Sequence, residues 1–286
     1  MAAQSEGKRL HPILIDLGFF QLPTYGPLMV TALITAILLA VRQGKREGLE
    51  SNRLWDFSTW LIVVALVGAK VLMVLTDWRT YWERPSELVS LSTLRAGGVF
   101  YGGFVAAVLF AWWYVRAHRL RLWKVFDVYA PSIVLGLGIG RLGCFAAGCC
   151  YGKPTDSFLG VVFTHPLAQQ VSGTPLGIRI HPTQLYESLA CVLIFAVLIW
   201  RYSKKAYDGQ IFVWYLVLYA VARFFLEFLR GDPDRGFVFG HLLSTSQFIA
   251  ILAVGVAAIL GWRLRGHRAE PAVAPAAIPD AKRARG

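Results

Sequence analysis

Charged side chains lie inside apolar stretches of this sequence, where each costs on the order of 2.5–3.5 kcal/mol if it faces lipid. Arg141, Arg223 and Glu227 all fall within or at the ends of such stretches. We therefore expect them to face the interior of a helix bundle or a wet cavity. A guanidinium can hold a phosphate through two parallel hydrogen bonds. Two arginines on different helices would suit the phosphate of an anionic lipid headgroup.

The stretch around Arg223 carries four polar residues at helical spacing. Tyr219, Arg223, Glu227 and Arg230 follow one another at intervals of 4, 4 and 3 residues, which predicts a single helix face. One interpretation is a polar stripe that lines a substrate cavity, with Arg230 near the outer surface. The other is a structural ion pair between Arg223 and Glu227 that fixes helix packing.

Glycines surround Arg141, in the run Gly-Leu-Gly-Ile-Gly-Arg-Leu-Gly at 136–143. Small residues allow close helix packing in membranes, and here they would hold Arg141 near another backbone or a headgroup. Cys144, Cys149 and Cys150 follow directly, while Cys191 lies alone in an apolar run. Their spacing matches no zinc pattern, so we expect no metal and no other cofactor. A disulfide on an oxidising face and small buried thiols are both compatible with this cluster.

Three other polar positions allow a structural or a functional interpretation. Residues 181–187 read His-Pro-Thr-Gln-Leu-Tyr-Glu; a proline and an acid there suit a helix N-terminus, and headgroup contact through His181 and Gln184 is the alternative. Tyr101 stands between two glycine pairs, either as an interfacial anchor or in a broken segment that lines a cavity. Lys70 either extends to a headgroup or pairs with an acid.

The whole chain has the composition of a membrane protein. Of its 286 residues 56% are hydrophobic and only 16% are charged, and the mean hydropathy is +0.52. Apolar stretches long enough to cross a bilayer predict an all-α polytopic protein with seven transmembrane helices. The predicted spans are residues 24–41, 57–76, 98–115, 128–147, 185–200, 211–229 and 244–262.

Basic residues alternate between the loops and predict an orientation. Segments 42–56, 116–127, 201–210 and 263–286 hold 17 of the 29 Lys and Arg residues, and the other four loops hold 9. The positive-inside rule then assigns the net charge of +12 to cytoplasmic loops and not to nucleic-acid binding. We expect no cleaved signal peptide, a periplasmic segment 1–23 and a periplasmic insertion at about 148–184. Residues 24–262 would form the membrane domain, and residues 263–286 a disordered basic cytoplasmic tail.

Together these segments resemble the prolipoprotein diacylglyceryl transferase family of bacteria, from about Tyr25 to Gln247. The strongest matches are Gly-Arg-Leu-Gly at 140–143 through Gly148 and Gly152, the run at 181–187, Tyr219 through Arg230, and Leu-Ser-Thr-Ser-Gln at 243–247. The resemblance implies a seven-helix, multi-pass enzyme of the bacterial inner membrane with a site towards the periplasm. It would transfer diacylglyceryl from phosphatidylglycerol to the lipobox cysteine thiol of a preprolipoprotein, forming a thioether and releasing glycerol phosphate.

The resemblance also implies roles for particular residues. It makes Arg141 and Arg223 essential. It further implicates Tyr25, Gly152, Tyr219, Glu227 and Arg230. The best-known members carry histidine where Tyr101 stands, asparagine where Cys144 stands and glutamate where Cys149 stands. Cys144 therefore takes a place in the headgroup shell. The proton acceptor for the substrate thiol is Tyr101, His181 or the phosphate itself.

Two other function classes fit a polar site inside a membrane. A transporter or channel also carries intramembrane charges, but it would predict an internal repeat, and no convincing repeat is visible in the sequence. A non-catalytic lipid-binding or assembly protein on the same scaffold is the second alternative. The cysteine positions, which depart from the family pattern, are the reason to keep it.

Overall fold

Seven of the described helices are long and apolar enough to cross a membrane, which confirms the all-α polytopic prediction. The structure, a computed structural model, describes residues 13–17, 21–90, 93, 98–232, 236–240 and 242–266. The spanning helices are α1 (Tyr25–Arg46), α2 (Ser51–Thr76), α4 (Phe100–Ala117), α5 (Leu122–Ala147), α7 (Thr183–Tyr202), α8 (Gln210–Leu226) and α9 (Thr245–Leu264). Two short helices, α3 (Trp78–Glu83) and α6 (Pro166–Ser172), lie between them.

The spanning helices overlap the predicted stretches but differ from them at their ends. α2 begins at Ser51 and not at residue 57, and α7 begins at Thr183 and not at residue 185. Hydropathy detects the apolar middle of a helix, whereas its terminal turns can lie in the polar interface. α8 ends at Leu226, and a 3₁₀ turn, Glu227–Leu229, continues it for three residues.

Short antiparallel strand pairs connect several of the helices. β1 (Ile13–Asp16) pairs with β2 (Gln21–Pro23), β3 (Val161–Val162) with β4 (Arg179–Ile180), and β5 (Phe237–Val238) with β6 (Leu243–Ser244). β1 and β2 lie in the predicted N-terminal segment 1–23, of which residues 1–12 and 18–20 lie outside the described residues. Residues 267–286 of the predicted tail also lie outside them.

The segment between α5 and α7 has a small core of its own. Tyr151, Phe163, Ala168 and Ile180 are buried together there, from the loop after α5, the residue after β3, α6 and β4. Val161 is paired with Ile180 across the two strands. This core holds the segment between α5 and α7 in a fixed conformation. The polar residues described below lie at its two ends, on α5 and α7.

Contacts divide the described residues into two compact units. The first unit comprises the described residues up to Ala40 and from Phe126 onward. Within it, the glycine-rich face of α5 is a packing surface, as one sequence interpretation proposed. A Cβ on Gly136 would lie 3.3 Å from the carbonyl oxygen of Ala32 in α1, and one on Gly138 would lie 3.0 Å from the Cβ of Cys191 in α7.

The second unit, Val41–Val125, is built on α2 and α4. The glycines around Tyr101 pack against α2 here, since a Cβ on Gly102 would meet the carbonyl oxygen of Gly68 at 2.4 Å. These glycines therefore permit close packing of α4 on α2. Among the described residues from 98 onward, α4 runs without a break from Phe100. Gly97 lies outside the described residues. Lys70 donates a hydrogen bond to the carbonyl oxygen of Thr93. This backbone partner is neither the headgroup nor the acid that we expected.

Candidate active site

The buried charges of the first unit converge on one carboxylate, that of Glu187 in the first turns of α7. Its Oε2 lies 3.0 Å from Nε of Arg141 and 3.8 Å from Nη1 of Arg223. Its Oε1 accepts a hydrogen bond of 2.9 Å from the hydroxyl of Tyr219. Glu187 is thus the point where α5, α7 and α8 meet through polar side chains. Only 6% of its side chain is exposed, so these contacts form away from water.

Arg223 has two further partners on neighbouring segments. Its Nη2 lies 2.9 Å from Oε2 of Glu227, one helical turn later, so the ion pair that the spacing predicted is present. The same nitrogen donates to Oγ of Ser246, in the first turn of α9, at 3.1 Å. Ser246 occupies this position because a capping box fixes the start of α9: Ser244 and Gln247 each accept a hydrogen bond from the other's backbone N–H at 3.1 Å.

The network is balanced in charge but not saturated in hydrogen bonds. Arg141 and Arg223 are matched by Glu187 and Glu227, so the formal charges cancel. Among the described residues, Nε of Arg141 and Nη1 of Arg223 are buried and make ion-pair contacts without hydrogen-bond geometry. Buried donors of this kind usually have an acceptor. These two N–H groups therefore interact with Glu187 through charge, without a well-oriented hydrogen bond.

Arg230 does not lie on the helix face that its spacing predicted. The helix has ended before it, and Arg230 has extended backbone angles (φ −72°, ψ 142°) after the 3₁₀ turn. Its guanidinium pairs with the carboxylate of Asp232, including a 2.9 Å bond from Nε to Oδ1. Burial opposes the charged form, but this carboxylate outweighs it and raises the pKa of Arg230. The spacing argument was wrong for this residue because it assumed that the helix continues.

Gly152 joins the loop after α5 to the segment after α8. It forms a β-bridge with Arg230, and its N–H donates to the carbonyl oxygen of His181 at 3.0 Å. A Cβ on Gly152 would lie 2.5 Å from that oxygen and 2.9 Å from the carbonyl oxygen of Leu229. Only glycine fits between these two backbones. The ring of His181 lies beside Tyr186, with Nδ1 3.3 Å from the hydroxyl.

The three clustered cysteines lie at the C-terminal end of α5, Cys144 in its last turns and Cys149 and Cys150 in the turn that follows. All are free thiols, and one ligand atom from each lies within 4.8 Å of the others. Arg141 is adjacent, with Nη1 4.0 Å from Sγ of Cys144, and the thiol of Cys149 donates to the carbonyl oxygen of Cys144 at 3.7 Å. Cys191 is buried in the core where α5 and α7 meet, and it lies apart from this cluster.

The thiols of the turn influence one another's ionisation. Hydrogen bonds from Cys144 and Cys149, together with the nearby charges of Arg141 and Arg230, lower the pKa of Cys150 far below the ordinary value of a thiol. The pKa of Cys149 is raised, because its hydrogen bonds with Cys144 and Cys150 favour the protonated form and burial adds to this effect.

Comparison with known proteins supplies the family. A family model described as prolipoprotein diacylglyceryl transferase matches residues 12–263. The chain is 35% identical over 246 residues to the phosphatidylglycerol–prolipoprotein diacylglyceryl transferase of Clostridium tetani (strain Massachusetts / E88), covering 86% of this chain and 94% of that protein. The chain belongs to the prolipoprotein diacylglyceryl transferase family.

Other relatives with the same printed name agree with this assignment. Identity is 33% to the protein of Finegoldia magna, over 82% of this chain and 88% of the relative. It is 32% to the protein of Thermosynechococcus vestitus, over 89% and 91%. These matches confirm the family, the transferase activity and the multi-pass bacterial membrane protein that the sequence predicted.

The structure brings together part of the predicted site of this transferase. Arg141, Tyr219, Arg223 and Glu227 share one network through Glu187. Tyr25, at the start of α1, packs against Gly143 of α5, whose Cβ would lie 3.2 Å from the ring. Gly143 directly precedes Cys144 in the sequence, so Tyr25 lies at the helix end that carries the cysteines.

Other predicted residues lie in different surroundings. Tyr101 belongs to the second unit, in the first turn of α4, and is 57% exposed; its role stays a prediction. Gln184 is buried, and its amide donates to the carbonyl oxygen of Cys149 at 2.7 Å. This contact supports the cysteine turn, and contact with a headgroup stays a prediction. Sequence reasoning had assigned Glu187 to a helix dipole, although an acid beside an apolar run is itself a signal of a buried partner.

Proposed function

We propose that this protein transfers the diacylglyceryl group of phosphatidylglycerol to the lipobox cysteine of preprolipoproteins, with Arg141 and Arg223 binding the lipid phosphate. The observation that supports this assignment most directly is the approach of both guanidiniums to one carboxylate oxygen of Glu187, at 3.0 and 3.8 Å. Two cations that can share one carboxylate can also share one phosphate oxygen. The matched transferases carry both substrates in their printed name.

The arginines would act on the leaving group. The substrate thiolate attacks the glyceryl carbon that bears the phosphate, so a C–S bond forms and the C–O bond breaks. The electron pair of that bond moves onto the phosphate oxygen, and glycerol phosphate leaves with one more negative charge than the diester had. Fixed donors at the developing charge stabilise such a transition state. The proton of the thiol leaves to Tyr101, to His181 or to the phosphate itself.

Glu187, Glu227, Tyr219 and Ser246 would position the two arginines. Carboxylates that balance the guanidiniums keep the site neutral before lipid binds, and the hydroxyl groups restrict rotation of the side chains they contact. Such neighbours orient a charged group without touching the reacting atoms. When the phosphate binds, the N–H groups of Arg141 and Arg223 that have ion-pair contacts alone gain an acceptor.

The lipid tails and the outer residues complete the proposal. An apolar groove between α8 and α9, lined in part by Ala220, Phe224, Ala250 and Val254, borders the helix that carries Arg223. An acyl chain fits such a surface, and substrate would reach the site laterally from the bilayer. The remaining predicted contacts to the glycerol headgroup are Tyr25, Cys144, Gly152, His181, Gln184 and Arg230.

The test is transfer by the purified full-length protein. Nanodiscs that contain phosphatidylglycerol are mixed with a lipobox peptide, and the peptide is analysed by mass spectrometry for the diacylglyceryl adduct. We expect the adduct with the native chain, and a rate about 10²-fold lower with Arg223→Ala, because one donor at the developing charge is lost. Arg223→Lys should also be slow, since an ammonium cannot reproduce the fork of a guanidinium.

The control is Arg42→Ala, an exposed arginine in α1, which should retain the native rate. Gel filtration and thermal unfolding of each variant separate a lost contact from a lost fold. Native activity of Arg223→Ala would contradict the phosphate-binding role. Binding of phosphatidylglycerol without any adduct would support a non-catalytic lipid-binding protein.

The same proposal includes an orientation in the bacterial inner membrane. Residues 1–23 and about 148–184 would face the periplasm, residues 24–262 would form the membrane domain, and residues 263–286 would lie on the cytoplasmic side. The charge distribution of the loops supports it. The site residues at the end of α5 and at the start of α7 would then lie towards the outer leaflet, where a lipobox emerges.

A further inference from the structure

The C-terminal end of α5 and the turn after it, residues 144–150, bring three soft ligands together. One atom from each of Cys144, Cys149 and Cys150 lies within 4.8 Å of the others. Zinc–sulfur bonds of about 2.3 Å at tetrahedral angles separate two sulfurs by about 3.8 Å. The cluster therefore requires small side-chain movements to surround one ion. Thiolates select zinc or Cu(I) over harder cations.

The backbone of this turn is fixed from outside. The carbonyl oxygens of residues 148, 149 and 150 accept hydrogen bonds from the side chains of Thr174, Gln184 and Thr183, at 2.7, 2.7 and 2.8 Å. Cys150 has a φ of 59°, in the left-handed region that disfavours a residue with a side chain. Strained backbone of this kind occurs at functional sites and persists only where the surroundings enforce it.

The donor set leaves one coordination position open. Within the described residues, the group contains three cysteines and no fourth His, Cys, Asp or Glu atom. Structural zinc sites are closed by four protein ligands, whereas catalytic sites have three and keep one position for substrate. Arg141, 4.0 Å from Sγ of Cys144, would offset the negative charge of a zinc ion with three thiolates.

We propose that Cys144, Cys149 and Cys150 bind a zinc ion whose fourth position takes the lipobox cysteine of the substrate as a thiolate. This inference rests on the proposed function and supplies the thiol activation that its mechanism requires. The bound metal lowers the pKa of a coordinating thiol, so the proton leaves to water when the thiol binds. No side chain then has to act as general base, and Tyr101 is not needed in that role.

The step is balanced without an oxidant or reductant. The zinc-bound sulfur attacks the glyceryl carbon, the C–O bond breaks, and its electron pair leaves on the phosphate oxygen beside Arg141 and Arg223. The product sulfur is a neutral thioether, which is a much weaker zinc ligand than a thiolate. It therefore leaves the metal, zinc keeps its charge, and the fourth position is open for the next thiol.

The first experiment measures the metal directly. The full-length protein is purified under reducing conditions, equilibrated with Zn²⁺, separated from free metal and analysed by plasma mass spectrometry. We expect about one zinc per chain, and at least a tenfold lower content in Cys144→Ser, Cys149→Ser and Cys150→Ser. Cys191→Ala, which alters the cysteine outside the cluster, should retain the zinc. Equal zinc in all of these proteins, or none in the native chain, would overturn the proposal.

Cobalt reports on the fourth position independently of activity. The Co²⁺-loaded protein should show thiolate-to-metal absorption, and a lipobox peptide should change the visible bands. The same peptide with serine in place of cysteine should not change them. An unchanged spectrum with the cysteine peptide would overturn the substrate-binding part of the proposal. A native chain that forms a disulfide within the cluster under these reducing conditions would overturn the site as a whole.

The last experiment separates this inference from the proposed function. The protein stripped by a chelator should lose at least tenfold in transfer rate and regain it with Zn²⁺. Full transfer without zinc overturns the metal site and leaves the transferase function standing. Zinc binding with no transfer from phosphatidylglycerol, by a chain that is otherwise folded, refutes the proposed function and with it the role of the metal in activating the substrate.

Discussion

Glu187 determines the electrostatics of this site at the scale of single residues. It contacts Arg141 and Arg223 through one oxygen and Tyr219 through the other. Removing one member of a buried charge network leaves the others uncompensated, at a cost of about 3–5 kcal/mol. Replacing Glu187 should therefore lower the stability and the transfer rate more than replacing a residue outside the substrate contacts ordinarily does.

The variant Glu187→Gln tests this role. It keeps the shape and the hydrogen bond with Tyr219 but leaves two buried arginines with one fewer carboxylate. We expect a lower thermal unfolding temperature and at least a tenfold lower transfer rate, because the guanidiniums lose their fixed positions. Excess phosphatidylglycerol should recover part of the stability, since the lipid phosphate supplies negative charge.

The matched variant is Glu83→Gln, at an exposed glutamate of α3. It should change neither the unfolding temperature nor the rate. Unaltered stability and unaltered rate in Glu187→Gln would show that the network does not position the arginines.

At the scale of elements, two sequence motifs work at the starts of helices. Thr183 and Gln184 begin α7 and hold the cysteine turn through its carbonyl oxygens. Ser244 and Gln247 form the capping box of α9, which presents Ser246 to Arg223. The start of α9 is capped by its own side chains, whereas the first side chains of α7 bond to the neighbouring turn and not to their own helix. Both helix starts thus fix a polar group of the site, and at α9 the same residues also stabilise the helix terminus.

Gly152 provides the element-scale prediction. In Gly152→Ala the new Cβ would lie 2.5 Å from the carbonyl oxygen of His181 and 2.9 Å from that of Leu229. Both are backbone atoms, so the strand-like contact with Arg230 has to open. We expect a transfer rate reduced by at least tenfold and a lower unfolding temperature, measured on purified protein.

Gly255→Ala is the matched control, because a Cβ added to this glycine of α9 would meet no atom of the described residues within 4 Å. Alanine also favours a helix more than glycine does, so this variant should be as stable as the native chain or slightly more stable. A native transfer rate and unfolding temperature in Gly152→Ala would mean that the segment after α8 can move away from the loop after α5 without loss of function.

Local pattern predicted the helices well and the site only in part. Apolar length indicated all seven spans, and the interval between Arg223 and Glu227 indicated their ion pair. The partner of Arg141 could not be predicted in this way, because Glu187 is distant in sequence and the contact depends on how α5 packs on α7. The position of Arg230 was wrong for a related reason, since spacing does not reveal where a helix ends.

At the scale of the whole molecule, the charges of the loops and the position of the site together predict which side of the membrane the site faces. The basic loops hold 17 of the 29 Lys and Arg residues, and basic loops remain in the cytoplasm. The polar network lies at the end of α5 and the start of α7. The loop between these helices holds only two basic residues, Lys153 and Arg179. The site should therefore face the outer leaflet.

Fusions of green fluorescent protein test this orientation, because the reporter fluoresces when it folds in the cytoplasm and stays dark when it is exported unfolded. A fusion after Gly286 and a fusion after Arg121 should both fluoresce, since both follow basic segments. A fusion after Gly173, within the loop between α5 and α7, should be dark in cells, although a blot detects it. The reverse pattern would place the arginine network towards the cytoplasm. It could not then meet a lipobox on the periplasmic side, and the proposed substrate would have to be abandoned together with the orientation.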